Sequence, residues 1–128
     1  MRVLVDTHIW LWWLRGDSRL SDRAQEILGD GTNELLWSIV SSWEIATKIS
    51  IGKLKLDRPV HRLFADVISD QGAILLPVGQ HHCALLADLP LHHRDPFDRM
   101  LIVQAQHAEV PILTADPKLA AYDVEIVW

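Results

Sequence analysis

Four acidic residues, far apart along the chain, have the residue types and local settings of metal ligands. They are Asp6, Glu44, Asp98 and Asp116. Carboxylate oxygens are the donors that the hard cations Mg²⁺ and Mn²⁺ prefer. A cation held in this way lowers the pKa of a bound water and holds a scissile phosphate, so that no serine, cysteine or histidine nucleophile is needed. We therefore ask whether the fold brings the four together.

The predicted strands explain why these acids should share one place. Short apolar runs predict strands over residues 3–5, 35–40, 73–76, 111–114 and 124–127. Asp6 lies just past the first strand and Asp116 just past the fourth, while Glu44 and Asp98 lie near the starts of helices. The carboxyl ends of parallel strands and the starts of the following helices share one edge, where open α/β sheets bind ligands. We expect all four carboxylates at that edge.

Periodic apolar positions, together with start and stop signals, predict helices between the strands. The predicted helices cover residues 7–14, 21–28, 41–52, 59–71, 80–87 and 96–108. Regular alternation of strands and helices predicts an α/β fold, a three-layer α/β/α sandwich with a mainly parallel central sheet. The length suits a single domain over residues 1–128.

Each acid also has an ordinary structural explanation. Asp6 could cap a helix, Glu44 could be a solvated charge, and Asp116 lies in a common turn pair. Asp95 and Asp98 are three residues apart, which is the spacing of a capping box. The joint placement of the acids at one edge, rather than any one acid, supports a metal site.

Composition limits the classes of function. The formal net charge of −5 argues against nucleic-acid binding by broad attraction, but not against an enzyme whose acids are neutralised by cations. The single cysteine, Cys83, excludes an internal disulfide and a cysteine-rich zinc site, and it favours a cytoplasmic protein. The apolar run over residues 9–14 is too short for a membrane span and lacks the signal-peptide pattern, so we expect a soluble chain without a membrane partner.

Two histidine pairs, His81-His82 and His92-His93, invite a zinc interpretation. Adjacent residues on a helix point about 100° apart, so neither pair chelates well alone. We favour solvated or outer-shell roles for these four side chains.

Basic residues flank the acids, and their roles stay open. Lys48, Arg94 and Arg99 could grip the phosphates of a nucleic acid or pair with the carboxylates. A second group forms either a strip that faces a nucleic acid or an ordinary surface: Lys53, Lys55, Arg58 and Arg62.

Trp10, Trp12 and Trp13 share one short predicted helix and cannot all point inward. An apolar face left over after the core is filled usually marks a contact surface. Either the helix is buried on most sides or it forms an interface, and we favour an interface. We expect at least one of these indoles to be buried by another chain, with stacking on nucleic-acid bases as a third option.

Four segments resemble those of the PIN domain and, within it, of the VapC-type toxins of bacterial toxin–antitoxin modules. A single motif of this kind is weak, but four in register over the whole chain are specific. They are Val3-Leu4-Val5-Asp6-Thr7-His8, Ser42-Trp43-Glu44-Ile45-Ala46, His93-Arg94-Asp95-Pro96-Phe97-Asp98-Arg99 and Leu113-Thr114-Ala115-Asp116-Pro117.

The resemblance implies a compact α/β/α fold and a Mg²⁺- or Mn²⁺-dependent endoribonuclease that cleaves RNA. It also implies a homodimer and a cognate antitoxin. Carried over by position, the acids of the family fall on Asp6, Glu44, Asp98 and Asp116. Asp95 is then a helix cap and a secondary candidate for an outer-shell ligand.

Two other classes of function stay open. One is a metal-dependent phosphohydrolase acting on small phosphate esters, whose acidic form has an early Asp-x-Asp that Asp6-Thr7-His8 lacks. The other is a non-catalytic interaction module with the same fold, which predicts a missing acid, and none is missing.

Overall fold

Strands and helices alternate along most of the chain in the computed structural model, which describes residues 1–128. The strands are β1 (Arg2–Val5), β2 (Glu34–Ser38), β3 (Ile74–Leu76), β4 (Ile112–Leu113) and β5 (Ile126–Val127). The helices are α1 (Thr7–Leu14), α2 (Asp22–Gly29), α3 (Ile39–Ser50), α4 (Val60–Ser69), α5 (Gln80–Ala87) and α6 (Pro96–Ala108), and a 3₁₀ helix covers Pro117–Ala121. None of the helices combines the length and the apolar character needed to cross a bilayer.

All five strands are parallel and lie in the order β3-β2-β1-β4-β5. β1 is therefore central, with Leu4 in register with Leu36 on one side and Ile112 on the other. The strand order changes direction between β1 and β4, and the crevice beside such a switch point is the usual ligand site of an open α/β sheet. Asp6 follows β1 and Thr114 follows β4 at this point.

Helices cover both faces of the sheet, because successive side chains of a strand point to opposite faces. Val3 and Val5 join a buried cluster with residues of α1, α2, α3 and α4. Leu4 joins a second cluster that contains Leu101 and Ile102 of α6. The predicted three-layer sandwich with a parallel central sheet is confirmed.

The junction between β2 and α3 differs from the prediction. We predicted a strand through residue 40 and a helix capped at Ser41-Ser42, but β2 ends at Ser38 and Ser38 Oγ accepts the N–H of Val40 (3.0 Å). Val40 would be buried in a strand as it is in the helix, so the apolar run does not show where β2 ends and α3 begins. Ser41 and Ser42 are helical and bond elsewhere, to Thr7 and to the indole of Trp37.

As predicted, the three tryptophans of α1 do not all point inward. Trp10 is fully buried against Trp37, with ring centroids 5.5 Å apart. Trp12 and Trp13 are half-buried, and the Trp13 indole N–H donates to Gln71 Oε1 (2.8 Å). Burial of one of these indoles by another chain stays a prediction.

Gln104 fixes α6 to the sheet edge on which the acids lie. Its side chain is fully buried, accepts a hydrogen bond from Ser38 Oγ (2.5 Å) and donates to the carbonyl of Pro77 (3.2 Å). One amide therefore joins the middle of α6 to the end of β2 and to the chain just after β3.

We expect Gln104→Ala to lower the free energy of unfolding by about 1–3 kcal/mol, since it leaves the buried Ser38 hydroxyl without an acceptor and removes the bond to the Pro77 carbonyl. Gln106→Ala is the control, because Gln106 lies on the same helix but bonds the Asp123 carbonyl near the surface; it should cost less than about 1 kcal/mol. Urea unfolding followed by circular dichroism measures both, and equal losses would contradict this role of Gln104.

Candidate active site

Asp6 follows the central strand and is only 2% exposed. Its Oδ1 accepts the Thr7 N–H (2.7 Å), and its Oδ2 accepts the Thr114 hydroxyl (2.6 Å) and lies 3.3 Å from His8 Nδ1. Burial raises the pKa of Asp6, and Glu44 adds to the rise, although His8 and the bond from Thr114 oppose it. Asp6 is the N-cap of α1, the structural role that the sequence allowed for it, so one carboxylate both caps a helix and lies among the acids.

Glu44 is a buried acid on α3, 5% exposed. Lys48, one turn later, donates to its Oε2 at 2.6 Å. Its Oε1 is buried and has no hydrogen-bond partner. Such an oxygen is costly unless something positive approaches it.

Lys48 pairs with a carboxylate, which was one of its two predicted roles. Burial alone would lower the pKa of Lys48, but its bond and charge interaction with Glu44 and the charges of Asp95 and Asp98 raise it. One ammonium group therefore partly balances the acids.

His93 links the remaining two acids. Its Nε2 lies 3.3 Å from Asp98 Oδ2 and 3.5 Å from Asp116 Oδ2, and one ligand atom from each of the three residues lies within 4.8 Å of the others. The Asp95 N–H donates to His93 Nδ1 (3.0 Å), which leaves the Nε2 hydrogen to face the acids.

Asp95 has the capping role predicted for it. Its Oδ1 accepts the N–H groups of Phe97 (2.8 Å) and Asp98 (3.2 Å) at the start of α6. Asp116 similarly caps the 3₁₀ helix, accepting the Lys118 N–H (2.9 Å). Like Asp6, Asp116 combines a structural bond with a place among the acids.

The clearest sign that the acids form one cluster is the pKa of Asp98, which is raised to about 8. Burial is the largest cause, followed by the charges of Asp6, Asp95, Glu44 and Asp116. The structure thus brings the four predicted acids within electrostatic reach of one another at the carboxyl edge of the sheet.

The cluster fits a hard divalent cation. It offers carboxylate oxygens, among them the unpartnered Oε1 of Glu44, and a cation would offset the repulsion that raises the pKa of Asp98.

Two side chains of the region have contacts that the sequence did not specify. His93 lies beside Asp98 and Asp116, where an outer-shell role would place it, but nothing in the spacing showed that it reaches two acids. Arg99 was expected to grip RNA phosphates or pair with an acid; the RNA contact stays a prediction, but Arg99 pairs with no acid. It instead donates to the carbonyls of Leu89 and Pro90 and to the Tyr122 hydroxyl, which holds the loop before α6 in place.

A groove of about 340 Å³ opens between α1 and α3 beside Glu44. It brings together four basic side chains and one indole: Arg15, Arg19, Lys48, Lys53 and Trp12. Arg15 and Arg19 share Asp17 as a partner, whereas Lys53 makes no ion pair. Arg58 and Arg62, which we had considered for an RNA-facing strip, pair with Asp66.

Trp43 lies beside the acids on the outside. It is 61% exposed and meets Phe97 edge-on, with ring centroids 5.0 Å apart. These aromatic residues immediately precede Glu44 and Asp98 in sequence, so an exposed apolar edge borders the cluster.

Comparisons with known proteins agree with this fold. The sequence model of the PIN domain matches residues 3–125. No curated protein matches the chain.

Solved structures with the same fold include three protein complexes of low sequence identity. VapBC2 from Rickettsia felis, bound to a promoter DNA fragment, aligns with a TM-score of 0.72 at 12% identity over 99% of this chain and 98% of that one. FitAcB from Neisseria gonorrhoeae aligns with a TM-score of 0.64 at 19% identity, over 98% of this chain and 96% of that one. VapBC-5 from Mycobacterium tuberculosis, a member of the VapBC family of toxin-antitoxin systems, aligns with a TM-score of 0.61 at 17% identity. The alignment covers 98% of this chain and 97% of that one.

Without a cation, the stability of this protein should fall as the pH rises. The folded Asp98 carboxyl keeps its proton to about pH 8, whereas the unfolded one ionises near 3.8, so the native state binds the extra proton between these values. Asp98→Asn should flatten the dependence and raise stability at the alkaline end, and Asp116→Asn should act in the same direction. Urea unfolding in a chelator, from about pH 5 to about pH 8, measures this.

Asp123→Asn serves as the control, because Asp123 is exposed and makes no ion pair. It should leave the pH dependence unchanged. An Asp98→Asn protein with the same slope as the wild type would show that the acids do not repel one another.

Proposed function

The chain belongs to the PIN domain family, and on that premise we propose that it is a divalent-metal-dependent endoribonuclease that hydrolyses RNA phosphodiester bonds. The observation that carries the proposal is a partly buried acidic cluster in which the buried Oε1 of Glu44 has no partner. Mg²⁺ or Mn²⁺ would be held by four carboxylates: Asp6, Glu44, Asp98 and Asp116. When bound, the ion supplies a water of lowered pKa and positive charge for the phosphate.

The chain's own residues hold the ligands ready. Thr7 and Thr114 fix both oxygens of Asp6. The Thr7 hydroxyl also donates to Ser41 Oγ (2.9 Å), which joins the start of α1 to α3 and so keeps Asp6 close to Glu44. Orientation of this kind is what allows a metal site to act without rearrangement during the reaction.

His93 holds a proton between the other two acids. Its Nε2–H lies between Asp98 and Asp116 and draws their carboxylates toward each other, while Asp95 sets the orientation of the ring. Lys48 offsets the charge of Glu44. These contacts hold the four carboxylates in place for a cation.

The basic groove supports RNA as the substrate. A chain with a net charge of −5 binds a polyanion only where its cations are concentrated, and four of its twelve Lys and Arg side chains line this one groove. Arg19 lies over the Trp12 ring, 4.6 Å from its centroid. Cations combined with aromatic faces are the usual means of binding single strands.

The proposed partners are a cognate antitoxin and a second copy of the chain. Similar folds occur in structures of toxin-antitoxin complexes, and Trp12 and Trp13 are half-buried on α1. An antitoxin could cover this helix and place a basic side chain among the acids, where it would replace the charge of the metal. We propose that the protein is the toxin of such a pair.

We expect Asp98→Asn to abolish cleavage of a single-stranded RNA in the presence of Mg²⁺ or Mn²⁺, with the fold intact. Asp95→Asn is the matched control, because it makes the same chemical change three residues away and asparagine caps a helix as well as aspartate does. It should keep most of the activity. The reverse result would place the metal ligand at Asp95.

The same assay separates the competing functions. Cleavage that survives exhaustive chelation would contradict the metal mechanism. Hydrolysis of small phosphate esters without RNA cleavage would favour a phosphohydrolase, and no activity on either substrate with added Mg²⁺ and Mn²⁺ would favour a non-catalytic module.

Lys53→Ala tests the groove. It should raise the KM for RNA and leave kcat nearly unchanged, and it should reduce the slope of log affinity against log salt by about 0.7 for a single strand. Lys55→Ala is the control, since Lys55 lines other hollows and not this one. Equal effects of both substitutions would indicate general attraction rather than a groove.

A further inference from the structure

Three histidines meet at the opposite end of α6 from Asp98. His81 and His82 lie in the first turn of α5, and His107 lies in the last turn of α6. Their ring centroids are 4.0 Å apart for His81 and His82, 4.6 Å for His81 and His107, and 5.4 Å for His82 and His107. Nine residues separate His107 from Asp98, which is about 13 Å along a helix. The group is therefore distinct from the acidic cluster.

The chemical setting of these imidazoles is that of metal ligands. One nitrogen from each of the three lies within 4.8 Å of the others, and none of them forms an ion pair with a carboxylate, unlike His93. Burial, then the charges of His81 and His107, lower the pKa of His82, which keeps it neutral. Neutral imidazole is the form that binds metals.

The fold supplies the third ligand that the adjacent pair His81 and His82 lacks. Two neighbouring histidines on a helix diverge, but α6 brings a third ring against them. His82 is a fixed member, 3% exposed, whereas His81 and His107 are exposed. One buried ligand and two exposed ones leave the site open to solution on one side.

We propose that His81, His82 and His107 bind one transition-metal ion of the zinc class, which fastens the start of α5 to the end of α6. Zinc with nitrogen ligands needs nitrogens about 3.3 Å apart in a tetrahedron. The three nitrogens lie within 4.8 Å of one another, so the proposed site requires the two exposed rings to rotate until the nitrogens reach that separation, with water in the fourth position. Imidazole also selects zinc, nickel or copper over Mg²⁺, which prefers oxygen.

Metal binding has a specific structural consequence. The Gly79 N–H donates to His82 Nδ1 (3.0 Å), so the ring proton of the metal-free imidazole is on Nε2. Coordination through Nε2 moves that proton to Nδ1 and gives up the bond from Gly79. Coordination through Nδ1 displaces the same bond. The amide of Gly79 therefore reports on the metal in either case.

The test uses untagged full-length protein and Zn²⁺, with excess Mg²⁺ present to occupy the acidic cluster. Calorimetry should show one Zn²⁺ per chain for the wild type and for Asp98→Asn. His107→Gln should weaken binding by at least an order of magnitude. The Gly79 amide signal should shift with Zn²⁺ in the wild type and not in His107→Gln.

His61→Gln is the matched control, because His61 is an exposed histidine on α4 outside the group. It should bind Zn²⁺ as the wild type does. His81→Gln is a second variant at an exposed position, so the result does not depend on one substitution folding well. RNA cleavage with Mg²⁺ should be the same for His107→Gln as for the wild type.

Two results would overturn the proposal. One is Zn²⁺ binding that is lost in Asp98→Asn but kept in His107→Gln, which would place the ion among the acids. The other is equal binding by the wild type, His107→Gln and His81→Gln. Neither result bears on whether the protein cleaves RNA, so this proposal and the proposed function stand or fall separately.

Discussion

The repulsion among carboxylates at the carboxyl end of β1 is the constraint to which the surrounding structure responds. Buried acids are tolerated only when each is bonded, paired or protonated. The structure uses all three means: hydroxyl and backbone donors for Asp6, an ammonium group for Glu44, and a proton for Asp98, whose pKa is raised to about 8. The oxygen that none of these reaches is Oε1 of Glu44.

A rigid frame is needed to hold like charges together. β1 is central and covered on both faces, with Val3, Leu4 and Val5 all fully buried. α6 is fixed at its start by the cap of Asp95 and in its middle by Gln104. The free energy that packing contributes is partly offset by the repulsion, which is the usual relation between stability and a preorganised site.

Much of the architecture could be predicted because its signals are local. Start and stop signals predicted a helix from residue 96, where α6 begins, and the alternation of strands and helices predicted the parallel sheet and hence the edge that the acids share. The start of α3 was missed, since an apolar run continues through Val40 in either conformation. The contacts of His93 and Arg99 depend on loops that are distant in sequence, and only the folded chain brings their partners near.

The capping bonds of three aspartates have a genetic consequence. Asp6, Asp95 and Asp116 each accept backbone N–H groups with one oxygen, and asparagine does this equally well. A single transition in an aspartate codon gives asparagine, so under the proposed function the shortest mutational path to an inactive protein, at Asp6 or Asp116, leaves a chain that we expect to fold. A lineage can thus lose the proposed activity and retain the protein, and an inert copy would still compete with active copies for whatever partner binds them.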